Sequence, residues 1–170
     1  MIYKSYQIEK KTKSFENKII LFYGENIGLK DDFKRELSSS KASIKNFTQD
    51  EVLKNQVSFF NSLFNISLFN EKKIFFIDQA NDKILDIIEE IESKIDDQKI
   101  YVFAEILDKK SKLRTYFEKS NKLGIVPCYA DNEISLKQII LDKLKGYTGL
   151  SSQNINIIIE NCGLDRSKLN

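Results

Sequence analysis

Ile19-Ile20-Leu21-Phe22-Tyr23-Gly24-Glu25-Asn26-Ile27-Gly28-Leu29-Lys30-Asp31 reads as a strand that stops at a glycine and turns into a helix. A continuous apolar run from Ile19 to Tyr23 is what a strand covered on both faces requires. Leu29, Phe33 and Leu37, spaced four apart, then form one helical stripe. Such a turn is where an α/β domain can cradle a phosphate. The P-loop pattern needs Gly, four residues, Gly-Lys, then Ser or Thr. Gly24 and Lys30 fall at the right spacing, but Leu29 stands in place of the second glycine and Asp31 in place of the hydroxyl residue. Leu29 puts a side chain where backbone must approach phosphate, and the Asp31 carboxylate repels it. The four residues predict a degenerate P-loop that does not bind nucleotide.

Outward from this turn, short apolar runs alternate with amphipathic runs, the pattern of an α/β fold with a mainly parallel sheet flanked by helices. A weaker strand is expected over Ser43 to Phe47. Thr48-Gln49-Asp50-Glu51 is a capping box opening a helix with Leu53, Val57, Phe60 and Phe64 on its inner face. Strands are expected at Ile74–Ile77, Ile100–Ala104 and Gly124–Tyr129, with Pro127 placing the last at an edge or a bulge. Between them lie helices with Ile84, Ile88, Ile91 and Ile95 inward, and around Leu113 and Phe117. Asp86, Glu89, Glu90 and Glu92 read as a solvated face. From Asn132 the pattern is helical only: Leu136, Ile139, Ile140 and Leu144 in one stripe, then Ile155, Ile158, Ile159 and Cys162 after a Ser151 or Ser152 cap, stopped by Gly163.

The 170 residues suffice for one ordinary domain and an appendage. Hydrophobic residues at 41% and charged residues at 31% describe a globular chain, neither disordered nor membrane-spanning. The 27 Lys+Arg against 25 Asp+Glu, net +2, exclude a bulk electrostatic grip on nucleic acid and leave only a local patch. With no His and only Cys128 and Cys162 as thiols, neither a zinc site nor a Cys-His or Ser-His nucleophile is expected. No metal, no cofactor and no catalytic residue is assigned. Two cysteines make no disulfide framework, and no apolar run nears the roughly 18 residues of a membrane span. A cytoplasmic protein is expected. Ile74 to Asp78 imitates a Walker B strand, but Gln79 stands where the water-orienting carboxylate belongs.

Two other stretches carry possible chemistry. In Phe59 to Asn70, Leu68-Phe69 is an adjacent apolar pair set among Ser67, Asn70, Glu71 and Lys72. Spacing leaves two readings: the pair folds back under the following strand, or it is an exposed anchor for a partner's pocket. Lys109, Lys110, Lys112 and Arg114 form the densest basic cluster, either a solvated face or a contact for DNA or a neighbouring subunit. Asp108 and Ser111 read as caps of the helix that follows.

Taken together, Leu21-Phe22-Tyr23-Gly24 with Leu29-Lys30, Ser67-Leu68-Phe69, the run Phe103 to Arg114, Pro127-Cys128-Tyr129 and Gly163-Leu164-Asp165-Arg166 resemble, in order, the delta subunit of the bacterial DNA polymerase III clamp loader. The resemblance implies an AAA+-like fold without ATP binding. It places a clamp-binding domain over residues 1–140 and the start of a helical lid over 141–170, cut short, with the C-terminal collar domain absent. It implies a non-catalytic subunit of the polymerase holoenzyme that binds and helps open the sliding clamp, the beta subunit, during DNA replication. Leu68 and Phe69 would plug a hydrophobic pocket on the clamp, with Ser67 and Asn70 shaping the loop. The implied partners are the gamma/tau and delta prime subunits, and primer-template DNA within the full complex; no membrane is implied. The rival readings are a divergent P-loop nucleotide-binding protein and a scaffolding domain with no clamp contact.

Overall fold

Strand β1 (Ile19–Tyr23) is buried at every position because it lies inside a sheet with helices on both faces. The computed structural model describes residues 1–5, 15–39, 42–65 and 72–169. After β1 come α1 (Ile27–Ser38), β2 (Ser43–Thr48), α2 (Gln49–Lys54), α3 (Gln56–Phe64), β3 (Lys73–Ala80), α4 (Leu85–Lys94), β4 (Lys99–Ala104), α5 (Lys112–Lys119), β5 (Gly124–Pro127), α6 (Glu133–Lys143) and α7 (Ser152–Cys162). Short 3-10 turns occupy Asp82–Ile84 and Arg166–Leu169. Among the described residues the five strands are all parallel, in the order β2-β3-β4-β1-β5. The expected α/β class is what forms.

Side-chain alternation divides the strands between two cores. Ile19, Leu21, Phe75, Ile77, Ile100 and Val102 face the layer of α2 to α5, where Val52, Phe59, Leu63, Ile88, Ile91, Leu113 and Phe117 meet them. Ile20, Phe22, Phe76, Tyr101, Phe103 and Val126 face α1, which contributes Leu29, Phe33 and Leu37. On that side the Phe22 ring stacks on Phe103 with centroids 4.9 Å apart. A third, smaller core lies between α6 and α7, made of Leu136, Ile140, Ile155 and Ile159.

One helix departs from the expected pattern. The run after Thr48 breaks at Asn55 into α2 and α3 instead of continuing as one helix. The break turns the second half, so Val52, Phe59 and Leu63 are core, Leu53, Phe60 and Phe64 are partly buried, and Val57 is 77% exposed. The Thr48–Glu51 capping box forms as expected. Helix α1 starts at Ile27, earlier than the Leu29 stripe implied, because Asn26 caps it. β3 runs on past Ile77 to Ala80 through a register shift, with Gln79 at φ +58°. Glu92, expected outward, accepts hydrogen bonds from Tyr116 Oη and from Ser120 Oγ at 3.2 Å. Pro127 lies in the edge strand β5 as anticipated, Ser151 is the cap of α7, and Gly163 takes the left-handed position behind it.

Candidate functional site

The topology brings three loops to the carboxyl ends of β1, β4 and β5, beside the point where the chain reverses its direction across the sheet. In open α/β folds ligands bind in the crevice at that point. Here the loop from Gly24 to Gly28 is held between the segments after β4 and after β5. Gly24 N–H donates to Glu105 O at 3.0 Å, and Asn26 N–H donates to Cys128 O at 3.1 Å.

Gly24, Leu29 and Lys30 of the degenerate P-loop are accounted for by packing. Gly24 adopts φ +132°, and a Cβ on it would lie 2.2 Å from Cys128 O, so only glycine fits beneath that crossing backbone. Leu29 is core, and its N–H is capped by Asn26 Oδ1 at 2.9 Å. Lys30 is 8% exposed and sends its ammonium inward, donating to Gly24 O and Ala104 O, both at 2.9 Å. Burial pushes the Lys30 pKa below the ordinary lysine value. Asp31 lies on the exposed side of α1. The lysine that would meet a phosphate therefore joins the ends of β1 and β4 instead.

Asn26, Asp131 and Arg166 complete this corner, and the sequence reading assigned none of them a role. Asn26 Nδ2 donates to Tyr129 O at 3.0 Å and to Asp131 Oδ2 at 2.7 Å. Asp131 also accepts from Ser135 Oγ at 2.7 Å and from both arms of the Arg166 guanidinium, Nε at 2.8 Å and Nη2 at 2.9 Å. Burial alone would raise the Asp131 pKa, yet the hydrogen bonds from Arg166, Ser135 and Asn26 outweigh it and hold the carboxyl below its ordinary value. Asn26 could have been recognised as a cap directly before Ile27. The Asp131–Arg166 contact left no local signal, because its members are 35 residues apart.

Asp78, at the Walker B-like position, is paired with Lys34 of α1, whose ammonium lies 4.6 Å from the Phe103 ring centroid. Between α1 and α6 a cleft of about 200 Å³ opens beside Phe33, Ile139 and Arg166. That is below the roughly 300–1,000 Å³ usual for small-molecule sites.

The basic cluster does not present one face. Lys109, Lys110 and Lys112 are exposed at the start of α5. Arg114 turns inward, donating to Leu107 O at 3.1 Å and Glu118 Oε1 at 2.9 Å, with its guanidinium carbon 5.0 Å from the Tyr23 ring centroid. Ser111 caps α5 as expected, whereas Asp108 does not: its Oδ1 accepts from Lys110 N–H at 2.6 Å, in the turn before the helix begins. Asp82, from a different segment, adds a carboxylate at the same helix start, accepting from Ser111 Oγ at 2.6 Å and from the N–H groups of Lys112 and Leu113, both at 3.0 Å.

Ser67, Leu68, Phe69 and Asn70 lie outside the described residues. Their flanks are described: Lys73 Nζ donates to Asn65 O, joining the end of α3 to the start of β3. The partly buried Phe60 and Phe64 rings of α3 stack with centroids 5.9 Å apart, and Val57 of the same helix is exposed.

No protein-family profile matches the chain, and no curated protein matches it in sequence. Among solved structures it is similar to the Bacillus subtilis DNA clamp loader delta protein, at 12% identity and a TM-score of 0.62. The match covers 91% of this chain and 51% of that one, so the chain spans about half the length of the solved relative. The resemblance expected from the motifs is thus present in three dimensions, and what the two chains share is the α/β fold of the clamp loader delta protein.

Proposed function

We propose that the chain is a clamp-loader subunit of the delta type, without catalysis of its own, that binds a sliding clamp and helps open it during DNA replication. The observation that carries this reading is the filled P-loop on a delta-like fold: Lys30 is committed to Gly24 and Ala104, while Gly24 serves a backbone crossing. An ATPase needs that lysine on the nucleotide phosphates. The same packing argues against the divergent nucleotide-binding protein.

In this proposal Leu68 and Phe69 enter an apolar pocket of the clamp, the beta subunit of DNA polymerase III, and Ser67 and Asn70 shape the segment that carries them. The Lys73–Asn65 bond supports the idea by joining the two flanks of that segment at the end of α3. Burying the pair contributes about 2–3 kcal/mol per side chain before ordering costs. Ring opening follows only if the bound state favours the open clamp over the closed one. Residues 1–140 act as the degenerate AAA+-like, clamp-binding unit and residues 141–170 begin the helical lid, with α6 (Glu133–Lys143) running across that division to pack on α7. Gamma/tau and delta prime are the neighbouring subunits, and exposed Lys109, Lys110 and Lys112 serve as the contact for primer-template DNA or a neighbour. The cytoplasm is the proposed compartment; among the described residues no helix is long and apolar enough to cross a membrane.

The test is a surface-binding titration against the cognate sliding clamp, with Leu68→Ala/Phe69→Ala in parallel. Saturable binding weakened roughly a hundredfold, about 2.7 kcal/mol, by the double substitution is expected. Equal binding by both chains would sink the assignment of the pair. No clamp binding by either, in isolation and in a reconstituted loader, would sink the function.

A further inference from the structure

The helical pair α6–α7 buries its apolar residues against itself, in a core separate from the two sheet cores. Among the contacts that join it to the α/β layers at the sheet's carboxyl end is one buried guanidinium shared between elements. Arg166 is 4% exposed, in the 3-10 turn that follows α7. Its fork lies on Asp131, in the link between β5 and α6, and its Nη1 is 3.6 Å from Asp32 Oδ2 on α1. Asp131 in turn holds Asn26 of the strand-to-helix loop and Ser135 in the first turn of α6. Gly28 lets the two backbones meet, since a Cβ there would lie 2.6 Å from Ser167 N. Three segments distant in sequence therefore converge on one guanidinium, held by Asp131 at 2.8 Å and more distantly by Asp32 at 3.6 Å, beside the loop that a nucleotide would otherwise organise.

We infer that the Asp131–Arg166 pair is a built-in latch that fixes the helical pair in one orientation over α1 and the Gly24–Gly28 loop, with no bound ligand needed. A buried ion pair adds little net stability over apolar packing, but an arrangement that leaves one partner buried alone is strongly disfavoured. Such a pair selects among orientations more than it strengthens one of them. The forked geometry adds direction, because two parallel N–H···O bonds fix the angle of approach as well as the distance. A surface salt bridge would do neither. The inference goes beyond the proposed function and holds whether or not the chain binds a clamp.

Amide hydrogen exchange on the whole chain tests it. Arg166→Met, which leaves Asp131 buried without its cation, is expected to speed exchange along α7 by roughly a hundredfold or more, and Asp131→Asn, which leaves Arg166 only the more distant Asp32, by a smaller factor, while β1 and β4 keep their protection. The double variant Asp131→Asn/Arg166→Met, which leaves neither charge buried alone, is expected to recover part of that protection. Unchanged exchange in α7 in both single variants would overturn the latch. So would an equal loss of protection across α7, β1 and β4, since the pair would then be part of one cooperative core. Those outcomes are read without any clamp, so they are separate from failure of the clamp titration.

Discussion

Gly24 and Lys30 stand where a phosphate loop needs them, yet both are used by the protein itself. Gly24 sits at positive φ beneath Cys128 O, where any side chain meets backbone at 2.2 Å. Gly24→Ala is therefore expected to destabilise the fold by about 2–5 kcal/mol, from strain and overpacking together, read as a lower urea midpoint. Lys30 replaces water at two strand-end carbonyls that are otherwise buried. Lys30→Met would leave those oxygens without their charged donor and is expected to cost about 1–3 kcal/mol. The same substitution in a true P-loop would abolish nucleotide binding, whereas here it changes stability. Glycine and lysine at the right spacing are compatible with either use, and Leu29 and Asp31 are the residues that separate them.

Among the elements, α5 shows how a short helix can depend on a group from elsewhere. It begins with Lys112, and exposed Lys109 and Lys110 precede it, so positive charge gathers at the end where the helix dipole disfavours it. Asp82 offsets this with a carboxylate on Ser111, Lys112 and Leu113, and its pKa is held low chiefly by the Ser111 hydroxyl. Asp82→Ala is expected to lower stability by about 1–2 kcal/mol, measurable by thermal melting. Because the folded pKa is depressed, this contribution is present above the unfolded value of about 3.9 and is lost as pH falls through the folded one. Asp82→Ala should accordingly show a shallower acid dependence than the parent chain. At α2 and α3 the apolar spacing fits one continuous helix, but Asn55 interrupts it. The actual inward face follows the sheet that the helices pack on.

For the whole molecule, the acid limb of stability belongs to carboxylates, the chain having no His. Asp131 has the same sign as Asp82: its folded pKa is depressed, so its stabilisation is full above about pH 4 and declines below that. Unfolding by acid is expected to begin with the helical pair, seen as loss of protection in α7 before β1. A second whole-molecule test uses nucleotide. A ligand that binds the native state raises the melting temperature by mass action. Millimolar ATP with Mg²⁺ is expected to leave the melting temperature of this chain unchanged, and a concentration-dependent rise would restore the nucleotide-binding alternative.

The order of strands and helices, the two-sided burial of β1 and the defect in the P-loop were all determined by the amino-acid sequence, because each depends on neighbours within a few residues. Apolar spacing, capping residues and a motif's internal distances are local quantities, and they survive without knowledge of the fold. Where Lys30 and Arg166 direct their charges was decided only by tertiary structure, as was the meeting of Arg114 with the Tyr23 ring. Lys30 reaches Ala104 across 74 positions and Arg166 reaches Asp131 across 35. Spacing cannot encode such contacts, since the strand order decides which loops become neighbours. Two of the charged residues in the candidate sites, Lys30 and Arg114, proved to be turned inward for that reason: burying a cation is costly unless carbonyls, a carboxylate or a ring face receive it, and only the assembled fold supplies them.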